Sequence, residues 1–357
     1  MLDMEEIAMQ SIFFCERPQT VASVYAQEVI DRLRETAGLD PTVYNMDDVR
    51  ANPARFAPVE CIFSTWGMPV LTEEEIRRYF PRLQCVFYGA GSVQRFARPF
   101  LHCGVRVFSA WGANAIPVAE FTAAQIVLAN KGYFALERIM SHRRDAQPAS
   151  DLAVALRDGD ASMAYKVKSN YHGNYGDTVG LIGAGMIGRY VITLLKNYHL
   201  KVKVFDPFLS DAHAQALGVE KCSLETLFST CQVVSNHLAN NEQTQNMLTG
   251  VHFASMRPYA TFINTARGAQ VIESELAAVL KKRPDLTALL DVTCVEPAPE
   301  GHPFYDLPNC RLTPHIAGSC GDEVHRLAEF MADEYSRFRA GEACPYEVLE
   351  SMLTVMA

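Results

Sequence analysis

Residues 178–195 read TVGLIGAGMIGRYVITLL, and their pattern decides the fold. An apolar strand-like run ends in Gly183, Gly185 and Gly188, spaced G-x-G-x-x-G, and an apolar helical run follows. Each glycine has a separate physical task. Gly183 permits a tight turn, Gly185 lets backbone approach a pyrophosphate, and Gly188 lets the helix pack closely on the strand. The amides near Met186 and Ile187, at the start of the helix, can hold phosphates. Asp206 ends the next strand-like run, KVKVFD, 18 residues beyond Gly188. A carboxylate there suits ribose hydroxyls and repels a 2′-phosphate, and no arginine follows in DPFLSDAH. The stretch therefore predicts dinucleotide binding with NAD preferred over NADP.

The pattern extends in both directions. Downstream, KVKVFD, QVVSNHL, ATFINTA and LTALLDV are strand-like runs separated by helix-like ones, as in a doubly wound domain. Upstream, residues 12–14, 61–66, 83–88 and 105–110 are short apolar runs. QTVASVYAQEVIDRLRETAGL reads as one helix closed by Gly38, and TEEEIRRYF as a helix with acids in its first turn. Residues 114–140 predict a single helix, capped by Asn114 with Pro117 in its first turn and apolar on nearly every face. The polar stretch 141–172 is too long for an ordinary loop and is expected to be an arm packing on a partner subunit. A last helix is expected at roughly 320–340.

Composition sets outer limits. A chain of 357 residues suggests two domains at roughly 150 residues each. With 49% hydrophobic and 20% charged residues, it can bury a substantial core. A net charge of −9 argues against binding a nucleic-acid backbone. The ten cysteines include no CxxC pair, so neither a metal site nor a disulfide framework is expected. The start, MLDMEEIAMQ, is acidic where a signal peptide is basic. No apolar run is expected to reach the ~18 residues of a membrane span. These features suggest a soluble cytoplasmic protein.

Three side chains follow strands of the second half. Arg267, in TFINTARGAQVIESEL, lies between a strand and a helix start, where a cation is unfavourable unless an anion joins it. LLDVTCVEPAPEGHPFYDLPNCRLTPHIAG carries Glu296 and, 19 residues later, His315. Taken singly, each could be an ordinary surface or core residue.

Together, VGLIGAGMIGRYV, INTARG, DVTCVEP, HPFYDLPN and LTPHIAGS resemble the signature segments of the D-2-hydroxyacid dehydrogenase family, in the family's order. The resemblance covers roughly residues 60 to 340. It implies an α/β protein of two Rossmann-like doubly wound parallel-sheet domains, with the NAD domain (116–317) inserted into a substrate domain (1–115 and 318–357). It also implies NAD as cofactor and a homodimer. By position, Arg267 matches the substrate-orienting arginine, Glu296 the acidic partner of the histidine, and His315 the acid–base. Ala266 and Asp291 match positions near the nicotinamide amide, though either could be a strand-end structural residue.

The chemistry agrees with that resemblance. Reducing a 2-oxo acid leaves charge on the carbonyl oxygen, and histidine, with an unperturbed pKa of ~6.5, can supply the proton. A carboxylate partner fixes its tautomer, and arginine's planar fork suits a substrate carboxylate. In YGAGS, Gly89, Ala90 and Gly91 follow a strand and are expected to turn their amides towards that carboxylate. Trp66, Met68 and Trp111 are pocket candidates that would be core residues by default. The chain departs from the family at SVQRF, where an acidic continuation is usual, and at Ala239, where proline is common. Arg95 leaves a phosphorylated substrate open. Two other readings remain. One is a non-enzymatic NAD(H)-sensing protein like the C-terminal-binding corepressors. The other is a formate dehydrogenase-like enzyme, which Glu296 disfavours because those enzymes carry glutamine there.

Overall fold

A computed structural model describes residues 10–141 and 166–354. Most of the stretch expected to form an arm, residues 142–165, lies outside the described residues. The chain divides into two compact units, 1–114 with 319–357 and 115–318.

The first unit begins with strands β1 (Ser11–Phe14), β2 (Leu39–Tyr44), β3 (Cys61–Ser64), β4 (Cys85–Tyr88) and β5 (Arg106–Ser109). The second holds β6 (Tyr175–Ile182), β7 (His199–Phe205), β8 (Glu220–Lys221), β9 (Val233–Asn236), β10 (Thr261–Asn264), β11 (Thr287–Leu290) and β12 (Cys310–Leu312). The chain then returns to the first unit with β13 (Glu347–Val348).

The first sheet has the order β13-β5-β4-β3-β1-β2. It is parallel except for β13, which pairs antiparallel with β5. Strands β1, β3 and β4 are buried along their whole length, because helices cover both faces. One face buries Phe14, Ile62 and Val86, and the other Phe13, Phe63 and Phe87.

The second sheet is wholly parallel, in the order β12-β11-β10-β9-β6-β7-β8. From β6 the chain moves outward on one side to β7 and β8, then returns to the other side with β9. That reversal makes the carboxyl ends of β6 and β9 a switch point, where open α/β sheets bind ligands.

Two expected helices are each broken. The first runs Pro18–Val24 and Gln27–Ala37, with Ala26 extended at φ −62° and ψ 156° between them. The buried Tyr25 hydroxyl donates to the Ser64 carbonyl, and that anchor sits at the break. Gly38 closes the second piece in the left-handed conformation. The other becomes Trp111–Asn130 and Tyr133–Ser141, parted at Gly132 with φ +71°.

Asn114 is not a cap, because the helix already begins at Trp111 and Pro117 lies inside it. The Asn114 side-chain oxygen instead accepts from the Ser319 amide at 2.9 Å. The expectation that no apolar run reaches spanning length also needs correction. Trp111–Asn130 has 20 residues with a mean hydropathy of 1.2. Its Ala119, Ala123, Ile126 and Ala129 pack with Val179, Leu181 and Val233 in the core of the second unit, which accounts for its composition.

Candidate active site

The glycine turn leaves β6 at the switch point and opens the helix Met186–Leu195. Gly183 adopts φ +96°, and a Cβ there would stand 2.8 Å from the His237 carbonyl oxygen. A Cβ on Gly188 would collide with the Gly183 carbonyl. At Gly185 nothing lies within 4 Å of the Cβ position, so a ligand has room to meet the backbone. Gly185 caps the helix without a side chain, and the first-turn amides of Met186 and Ile187 have no intrahelical partner. Arg189, passed over in the sequence reading, donates through Nε to the Ala184 carbonyl at 2.8 Å. That bond holds a cation beside the same amides.

Asp206 follows β7, and its carboxylate accepts from the amides of Ala184 and Phe208, each at 2.7 Å. It therefore braces the glycine turn and keeps lone pairs for further donors. An open glycine cradle, free first-turn amides and a carboxylate at the next strand end together fit a dinucleotide.

Arg267 follows β10 in extended conformation. Its neighbour Gly268 has no room for a Cβ, which would meet the backbone of Thr293 and Cys294. That close approach brings the arginine loop against the loop of Glu296. The Arg267 guanidinium donates from Nη1 to the Ala266 carbonyl at 2.7 Å. Among the described residues it has no ion-pair partner. Burial pushes its pKa down from the usual arginine range, and the nearby Glu296 charge pulls it back up. A half-buried cation without a counter-ion is costly unless an anion arrives.

Glu296 and His315 meet directly, Oε2 to Nδ1 at 2.7 Å. The other Glu296 oxygen accepts from the Thr293 amide at 3.3 Å. Both side chains stay partly open, with 45% of the His315 side chain exposed, and its Nε2 has no partner among the described residues. His315 adopts φ +54°, a conformation that costs a β-carbon-bearing residue energy and persists only when the surroundings enforce it.

Those surroundings centre on Asp291, which is 3% exposed. Its Oδ1 accepts from Thr313 Oγ1 at 2.5 Å and the Ile316 amide at 2.9 Å, and its Oδ2 from the Ala317 amide at 2.8 Å. The His315 amide donates to the Asp291 carbonyl at 3.0 Å. Asp291 was expected near the cofactor. Most of its carboxylate is committed to shaping the histidine loop, with one lone pair on Oδ2 left over. Ala266 is buried, its amide donating to Asn264 and its carbonyl accepting from Arg267.

The sequence reading missed three buried amide side chains beneath these loops: Asn236, Asn264 and Gln270. No local pattern marks them, since their mutual bonds join residues 28 and 34 positions apart. Among the described residues, no group of three His, Cys, Asp or Glu side chains is arranged to hold a metal.

In the first unit, the expectation for Gly89 and Ala90 is corrected. Their amides already donate, Gly89 to the Ser64 carbonyl and Ala90 to the Tyr88 carbonyl, both at 2.8 Å. Thr65 Oγ1 donates to the Gly89 carbonyl, and Ser109 Oγ lies within hydrogen-bond distance of the carbonyls of Ala90 and Gly91. With those carbonyls held by buried hydroxyls, the amides of Gly91, Ser92 and Val93 are the ones without an acceptor among the described residues.

Comparison with known proteins adds the family. The family model for the D-isomer specific 2-hydroxyacid dehydrogenase NAD-binding domain matches residues 139–317. The Bacillus subtilis protein YoaD is 33% identical over 220 residues, which is 60% of this chain and 58% of that protein. A glyoxylate reductase of Korarchaeum cryptofilum is 32% identical over 181 residues, 51% of this chain and 54% of that enzyme. The chain thus spans little more than half the length of these relatives. The apo form of D-mandelate dehydrogenase from Rhodotorula graminis superposes with a TM-score of 0.76 at 19% identity, covering 98% of this chain and 99% of that one; this likeness bears on fold alone. The matched segment contains the glycine turn, Asp206, Arg267, Glu296 and His315. The chain belongs to the D-isomer specific 2-hydroxyacid dehydrogenase family and carries its NAD-binding domain.

Proposed function

We propose that this protein is an NAD-dependent oxidoreductase interconverting a small 2-oxo acid and its D-2-hydroxy acid. The observation that carries the reading is the His315–Glu296 pair, 2.7 Å apart, with the imidazole Nε2 open and the residue held at φ +54°. Bound NADH supplies the hydride. His315 Nε2 gives the carbonyl oxygen its proton during reduction and takes the hydroxyl proton during oxidation. Glu296 fixes the tautomer by accepting from Nδ1. Arg267 holds the substrate carboxylate, which completes its missing ion pair. Gly183, Gly185, Gly188 and the amides of Met186 and Ile187 hold the pyrophosphate, and Asp206 the ribose.

Initial rates across a panel of 2-oxo acids with NADH test the proposal. Turnover of at least one at useful rates is the expected result. NADH binding without turnover of any would leave an NAD(H)-sensing protein instead. The family resemblance also supports a homodimer, which sedimentation checks. The ten free cysteines are in keeping with a reducing cytoplasm, which cell fractionation checks.

A further inference from the structure

Beneath Arg267, at the carboxyl ends of β9 and β10, Asn236, Asn264 and Gln270 are 0%, 1% and 0% exposed. Asn236 Nδ2 donates to Gln270 Oε1 at 2.6 Å and to Asn264 Oδ1 at 3.1 Å. Asn264 Nδ2 donates to the Arg267 carbonyl at 3.1 Å, and Asn264 Oδ1 also accepts from the Ala266 amide. Gln270 Nε2 donates to the carbonyls of Leu238 and Ala239, both at 2.9 Å, while its Oε1 accepts from the Arg267 amide at 3.4 Å. Asn236 Oδ1 accepts from the Leu238 amide at 3.2 Å.

Each side-chain amide is therefore oriented by its partners, with no ambiguity between oxygen and nitrogen. Apolar side chains of similar size would fill this space without the desolvation cost of three amides. What the amides add is direction. They clamp the backbone on both sides of Arg267 and tie it to the backbone at 238–239. Ala239 lacks the fixed φ of a proline, and its amide donates no hydrogen bond among the described residues. Its carbonyl is held by Gln270 and by Thr244 Oγ1 at 2.7 Å.

We propose that Gln270, with Asn236 behind it, is a positioning residue that sets the placement of Arg267 and hence the affinity for the substrate carboxylate. The proposal rests on the reading of Arg267 as the carboxylate-binding residue. It goes beyond that reading by assigning the control of its placement to a buried amide pair.

The test measures oxalate, a planar dicarboxylate, binding to the NADH-loaded protein by calorimetry. KM and kcat for the best 2-oxo acid and the thermal midpoint are recorded alongside. Gln270→Leu should weaken oxalate and raise KM by about tenfold, with kcat falling less. The double variant Asn236→Leu/Gln270→Val also strips the Leu238 amide of its side-chain partner, beside the Leu238 carbonyl and the Arg267 amide, so its thermal midpoint should fall below that of Gln270→Leu. Its oxalate affinity should stay low. Ala239→Pro in that background costs no hydrogen bond and should recover part of the affinity by stiffening the loop.

Wild-type oxalate affinity in Gln270→Leu would overturn the proposal. So would a double variant that binds oxalate as tightly as wild type despite its lower thermal midpoint, because the amides would then be merely structural. A wild-type protein that binds no oxalate overturns it as well. If oxalate binds but no 2-oxo acid is reduced, the proposed reaction fails while the oxalate arms still decide the role of Gln270.

Discussion

Arg267→Met separates function from stability. Among the described residues the arginine has one side-chain hydrogen bond, to the Ala266 carbonyl at 2.7 Å, and no ion pair, and burial disfavours the charge of its guanidinium. Losing a hydrogen bond from a charged donor costs about 1.5–3 kcal/mol. Releasing a poorly compensated, half-buried charge returns a similar amount. The two nearly cancel, so the unliganded variant should unfold within roughly 2–4 °C of wild type, the shift that about 1 kcal/mol produces in a domain of this size. Carboxylate binding has no such offset. Without the charged fork, oxalate affinity and kcat/KM should fall about 10²- to 10³-fold, the range expected for a desolvated ion pair worth roughly 3–4 kcal/mol. NADH affinity should change little. Arg267→Lys should fall between, since it keeps charge but loses the planar two-point contact. Differential scanning fluorimetry, oxalate calorimetry and NADH fluorescence give the three readouts. A variant that melts many degrees lower yet keeps its oxalate affinity would make Arg267 a structural residue instead.

Two further predictions concern the cofactor cradle. Asp206→Ala should weaken NADH and narrow the NADH/NADPH ratio in kcat/KM, because the side chain both braces the amides of Ala184 and Phe208 and repels a 2′-phosphate; an unchanged ratio contradicts the assignment. Burial holds the His237 imidazole at about 4, against 6.5 unperturbed. Above 6.5 both folded and unfolded forms are neutral there. Between 6.5 and 4 only the unfolded chain takes up the proton, so stability falls as pH falls, by on the order of 3 kcal/mol, and levels off below about 4. His237→Gln should flatten that acid limb in urea titrations at pH 4.5 and 7, and an unaltered limb would mean that other groups cause it.

The sequence made the second unit legible where chemistry is local. The glycine spacing, the acid closing β7 and the strand-like runs of β6, β7, β9, β10 and β11 each lie within a few residues of their meaning. Strand β2 was missed because LDPTVY carries a proline and exposed positions, as an edge strand can. Strands β8, β12 and β13 have only two or three residues each, too few for periodicity to register.

The helix breaks at Ala26 and Gly132 were hidden by apolar spacing that continues through them. In the site, Arg267, Glu296 and His315 were legible through their loops. Their supports were not, because the grip of Asp291 on residues 313–317 and the Asn236–Asn264–Gln270 network are long-range pairings. The turn 89–91 was read by residue type, but its placement depends on Ser64, Thr65 and Ser109, which only the folded sheet brings alongside.

Whether His315 moves the proton is decided by one comparison. NADH-dependent reduction of the best 2-oxo acid is measured for wild type and His315→Ala, with NADH binding followed separately by fluorescence. NADH binding should be unchanged and the rate lower by about 10²–10⁴-fold, the range of a lost general acid. A variant that binds NADH and reduces the substrate at a near wild-type rate would contradict that role.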